Sequence, residues 1–166
     1  MNELLSNLVE ALREELKQYG ELLAQLDHQQ HLVIQRRAQD MMRCVAGINA
    51  QADTVQAVRR EREQHQRHVA QYLQLGDTAP FVEILPRIPL HYGGLIQALV
   101  QENNELLIRV QQRARQNQLL LSHAVELMQK FINAILPGAA ATPTYNDTGR
   151  LPAGQFAATS LYEAVG

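Results

Sequence analysis

The sequence contains no tryptophan, one cysteine and only two lysines, Lys17 and Lys130, and aromatic residues make up 5% of its 166 positions. Each shortage excludes something. A chain this poor in aromatic residues is a poor candidate for a sandwich, a barrel or a Rossmann sheet. One cysteine, Cys44, cannot form an internal disulfide, so nothing points to an oxidising compartment. No stretch approaches the roughly 18 consecutive apolar residues of a membrane span. The first residues, Met-Asn-Glu-Leu-Leu-Ser-Asn-Leu, lack the basic start and continuous apolar run of a secretion signal. Excess positive charge is missing too. The net charge is −2 and the sequence pI about 6.3, which argues against nucleic-acid binding as the main task. These absences lead us to expect a soluble cytoplasmic protein without membrane insertion.

What is present favours helix. The chain holds 24 Leu, 20 Ala and 20 Gln, and straight-chain residues lose little rotamer freedom in a helix. Glycine and proline are swept into a few places. Residues 1–75 hold two Gly and no Pro, and residues 95–136 hold neither. Length and pattern predict an all-α, elongated antiparallel bundle with coiled-coil-like seams. Three long helices are expected over about 3–33, 38–75 and 90–136. A helical domain would thus span 1–136 and a flexible tail 137–166.

In the first helix Leu5, Val9, Leu12, Leu16, Tyr19, Leu23 and Leu26 recur at alternating spacings of four and three, widened by Leu8 and Leu22. The phase then fails. It resumes with Met41, Val45, Ile48, Ala52 and Val55. Either one helix of roughly 70 residues continues for about 105 Å, or the chain bends near 35–37 into a hairpin. The lost phase favours the hairpin, as do six acids in residues 1–27 facing seven arginines in 36–67. Gly76 and Asp77 are expected to end the second helix. A connector with Pro80, Pro86, Pro89, Gly93 and Gly94 follows, with one short helix over 80–85. The third helix carries Tyr92, Ile96, Leu99, Asn103, Leu106, Val110, Arg113, Asn117, Leu120, Ala124, Leu127 and Phe131 in one repeat, with Leu107, Leu121, Met128 and Ile135 beside it. Pro137 and Gly138 stop it.

Candidate chemistry is sparse. His28 and His31, and likewise His65 and His68, are spaced as metal pairs, but a hairpin keeps the two pairs apart, and solvated histidine is the simpler account. Cys44 lies on an apolar stretch and is expected to be buried and inert. The Arg-rich run 59–68 has interspersed Glu and no aromatics for base stacking, so it reads as a solvated face. No residue set resembles an active site, and no enzyme activity, metal or cofactor is expected. The polar seam residues Asn103, Arg113 and Asn117 are more informative. They either set register or mark a helix whose stripe is partly kept for a partner helix.

The box Asn117-Gln-Leu-Leu-Leu121, and some two dozen residues later Thr144-Tyr145-Asn-Asp-Thr-Gly149-Arg150, make the chain resemble the FlgN family of flagellar export chaperones. The resemblance covers roughly residues 3–151. It implies a chaperone that holds hook-associated proteins and delivers them to the type III export gate. It further implies cargo contact through Asn117, Leu120 and Leu121, with Leu127 and Phe131 continuing that helix face. Tyr145 and Gly149 would then contact the gate's cytoplasmic domain. The free protein is expected to be a monomer or weak oligomer. The tail past Leu151 departs from the family pattern, and its end, 156–165, could form a short amphipathic turn on a partner. A self-associating coiled-coil scaffold without an export role is the alternative.

Overall fold

The structure is a computed structural model that describes residues 1–135. Four helices follow in order: α1 (Asn2–Ile34), α2 (Ala38–Tyr72), α3 (Phe81–Ile84) and α4 (Leu90–Ile135), with a 3-10 turn over Leu85–Arg87 after α3. Among the described residues there is no strand. The all-α class, the three long helices and the short connector helix agree with the pattern in the sequence. The chain divides into two compact units, Met1–Val125 and Glu126–Gly166. The boundary falls inside α4, and residues 126–135 are the described part of the second unit.

α1 and α2 form the hairpin expected from the lost phase. Its turn is closed by a helix stop that needs no glycine. Arg37 N–H donates to Leu32 O and Arg36 N–H to Val33 O, both at 3.1 Å, while Arg36 adopts φ 57°. This is the Schellman pattern, with a left-handed residue just past the helix. The end of α2 repeats it. Leu75 N–H donates to Ala70 O at 2.9 Å, Gln74 N–H donates to Gln71 O at 3.0 Å, and Gln74 has φ 57°. The expected stop at Gly76 and Asp77 is therefore corrected. The left-handed position is Gln74, and helix α2 ends at Tyr72 rather than 75. A non-glycine residue tolerates this conformation because two backbone bonds and the Leu75 side chain packed on the core hold it there.

Two buried clusters hold the first unit together. One joins Leu5, Leu8, Val9 and Leu12 of α1 to Val69 and Ala70 of α2, to Ala79, Ile84 and Ile88 of the connector, and to Ile96 and Leu99 of α4. Leu5, Leu8, Ile84 and Ile96 are completely covered, and each such side chain contributes about 1.5–3 kcal/mol relative to exposure. The connector thus plugs the open end of the hairpin. The other cluster joins Tyr19, Leu22 and Leu26 to Val55 and Val110.

The seam of α1 differs from the one expected. Its buried positions run Leu5, Leu8, Leu12, Glu15, Tyr19, Leu22, Leu26 and Gln29 at regular three–four spacing, and Leu16 and Leu23 are only half-buried. In α2, Met41, Cys44, Ile48, Gln51, Val55, Val58, Arg62, His65 and Val69 keep the same spacing and face inward, whereas Val45 is exposed. Polar residues occupy regular seam positions in both helices.

Candidate partner-binding surface

Polar layers fix how the helices meet. Glu15 is buried, and its Oε2 accepts from Arg62 Nε at 3.0 Å. Arg62 Nη1 also donates to Gln66 Oε1 at 2.8 Å, and Tyr19 OH donates to Glu15 Oε1 at 3.3 Å. The expected solvated face over 59–68 is corrected at this point: the Arg62 side chain is only 14% exposed and pairs across the hairpin. Burial, and then the Glu15 carboxylate, push the Tyr19 phenol up to about 12. Gln51 Nε2 donates to Gln18 Oε1 at 2.7 Å and to Gln18 O at 3.2 Å. Cys44 is half-buried rather than buried. Its thiol donates weakly to Gln25 O at 3.7 Å, and burial raises its pKa.

Asparagines set the register between α1 and α4. Asn103 Nδ2 donates to Leu12 O at 3.0 Å, and Asn117 Nδ2 donates to Leu26 O at 2.7 Å and to Gln29 Oε1 at 2.9 Å. Both cross-helix pairs have a sequence separation of 91, so α4 runs parallel to α1 in constant register. Arg113 adds an ion pair to Asp27 at 3.0 Å and a hydrogen bond to Gln30 Oε1. An amide that donates to a backbone carbonyl works only at one register, which is how a buried polar side chain specifies an alignment. With this offset Ile34, the last residue of α1, corresponds to Val125, the last residue of the first unit.

The polar seam of α4 therefore does set register, and uncovered stripe follows it. After Asn117 the apolar side chains of α4 emerge into solvent. Leu119 is 61% exposed and Leu120 36%, and Leu121 is half-buried. Further along, Val125, Leu127, Met128, Phe131, Ile132 and Ile135 are all exposed. Residues 127, 128, 131, 132 and 135 lie on one face of the helix by their spacing. Large apolar side chains grouped in this way make this face the candidate interaction surface.

The candidate cargo residues fall into two groups. Leu120, Leu121, Leu127 and Phe131 lie along the uncovered stretch. Asn117 does not: it is 2% exposed and faces α1. Tyr145 and Gly149 lie outside the described residues. Val125 and Ile132 are exposed as well and belong neither to the repeat nor to the flanking set read from the sequence. Among the described residues no three His, Cys, Asp or Glu side chains come together as metal ligands. His31 Nδ1 lies 2.8 Å from Asp27 O, and His65 packs edge-on against His68. No described helix is long and apolar enough to cross a membrane.

An exposed apolar stripe by itself names no partner. The family comparison narrows this: the model described as FlgN protein matches residues 1–153. The chain belongs to the FlgN family. Membership implies a chaperone of flagellar type III export, as the motifs at 117–121 and 144–150 suggested. The match takes in all four helices of this FlgN-family protein and ends one residue before Gly154. No curated protein and no solved structure matches the chain.

Proposed function

We propose that this FlgN-family protein is a cytoplasmic export chaperone without catalytic activity. It binds helical terminal segments of hook-associated proteins, prevents their premature assembly and delivers them to the type III export gate. The observation that carries this reading is the row of exposed and half-buried apolar side chains on α4 at Leu120, Leu121, Leu127, Met128, Phe131, Ile132 and Ile135. A cargo helix laid along this stripe would cover it by helix-in-groove packing. Segments that become helical only in the assembled filament carry apolar stripes of their own, and these aggregate when left uncovered. Ordering such a segment lowers its net affinity, which suits a cargo that must be released.

Leu120, Leu121, Leu127 and Phe131 make the cargo contact. Asn117 acts behind them by fixing α4 on α1. Tyr145 and Gly149 belong to the gate contact, so the two partners use separate parts of the chain. In the experiment, full-length Leu120→Arg, Leu121→Arg and Tyr145→Ala proteins are titrated calorimetrically with a hook-associated protein and with the gate's cytoplasmic domain. The two arginine variants weaken cargo binding at least tenfold, and Tyr145→Ala weakens gate binding alone. Unchanged cargo affinity in a folded arginine variant, or equal loss of both partners in Tyr145→Ala, overturns this division. Light scattering separates the scaffold alternative, which requires a stable high-order oligomer.

A further inference from the structure

The end of α4 and the end of the sequence carry the same pattern. On α4, Leu127, Met128, Phe131, Ile132 and Ile135 stand at i, i+1, i+4, i+5 and i+8, and all five are exposed. In the segment 156–165, Ala157, Ala158, Leu161, Tyr162 and Val165 have the same spacing. On a helical template both sets form one face of equal length, about 12 Å. Their sizes are complementary. The α4 set is all large, whereas the second set begins with two alanines that would let the backbones approach closely. The second set lies past residue 153, where the match to the family model ends.

From this correspondence we infer that the segment 156–165 docks on the α4 stripe of its own chain when no cargo is bound. Twenty residues separate Ile135 from Phe156. A flexible chain of that length has a root-mean-square span of about 25 Å, ample for a return of 12 Å. Tethering at this length gives an effective concentration on the order of millimolar, so a contact with only millimolar affinity is already half occupied. Neither set of side chains carries a charge, so docking strips water from no ion. The segment thereby shields an aggregation-prone face in the empty protein. That cargo must displace it rests on the function proposed above, and cargo affinity falls by the fraction of molecules that are closed.

The test is methyl NMR on the full chain without cargo. Cys44→Ala removes the native thiol, and Ser160→Cys carries a nitroxide off the apolar face. Signals of Leu127, Met128, Ile132 and Ile135 are expected to broaden several-fold more than those of Leu5 and Leu8. Adding Leu161→Asp with Val165→Asp, which keeps the tether, lowers the excess several-fold, to what the tether alone produces. Uniform broadening, or an excess unchanged by both aspartates, overturns the inference. An excess of equal size when spin-labelled and isotope-labelled molecules are mixed places the segment on a neighbouring copy and overturns it too. Because no cargo is present, failure here is separate from failure of the chaperone function.

Discussion

Replacing Arg62 with alanine leaves the Glu15 carboxylate stranded inside the helical bundle. Its side chain is 5% exposed, and once the 3.0 Å bond from Arg62 Nε is gone it keeps the longer hydrogen bond from Tyr19 OH, at 3.3 Å. Breaking a buried ion pair from one side costs about 3–5 kcal/mol, because the remaining charge is left uncompensated. For a helical protein of this size that corresponds to a fall in Tm of about 10–15 °C. Thermal melts followed by circular dichroism measure it. The double variant Arg62→Met with Glu15→Leu removes both charges and is expected to recover most of the loss, since well-packed apolar groups replace such pairs at little cost. A fall of less than 3 °C in Arg62→Ala, or a double variant no better than the single one, would refute the buried pair.

Three further outcomes are expected. Tyr19 has its phenol raised to about 12 from an ordinary value of 10.0, so the fold favours the neutral form. The associated stability is fully present below pH 10 and is lost as pH rises through 12, on the order of 3 kcal/mol; Tyr19→Phe should flatten the difference in denaturant midpoint across that window, and an unchanged alkaline slope counts against it. Asn117→Ala removes the donors to Leu26 O and Gln29 Oε1 and should cost about 1–2 kcal/mol, with faster amide exchange in α4 around residues 110–121; exchange as slow as in the parent would deny Asn117 its holding role. Arg36→Gly and Gln74→Gly relieve left-handed backbone at φ 57° and should each raise Tm by about 2–4 °C; a lower Tm in both would contradict the helix stops described.

Helix positions were legible because leucine periodicity and the placement of Gly and Pro speak about local structure. The hairpin showed itself through a break in phase, and the connector through Pro80, Pro86 and Pro89. The helix stops were not legible, because Arg36 and Gln74 are ordinary residues held left-handed by backbone bonds that form only in the fold. The burial of Arg62 is hidden in the sequence for a related reason. A charged residue gives no sign of burial until its partner is known, and Glu15 lies 47 residues earlier. Treating Glu15, Gln29 and Arg62 as possible seam members would have exposed the unbroken three–four spacing in both helices. The surface fared better. Asn103, Arg113 and Asn117 in an apolar seam left two readings open, a set register or a stripe kept for a partner helix, and the amide bonds of Asn103 and Asn117 to α1 bear out the first.

Calorimetric titration of a hook-associated protein into Leu127→Asp/Phe131→Asp protein decides whether the uncovered stripe of α4 is a cargo site. Both side chains are exposed, at 67% and 62%, so the variant should melt within 2 °C of the parent. Each would contribute about 1.5–3 kcal/mol when covered by a partner, so cargo affinity should fall at least 100-fold. A folded variant that binds cargo as tightly as the parent would contradict the assignment of this surface.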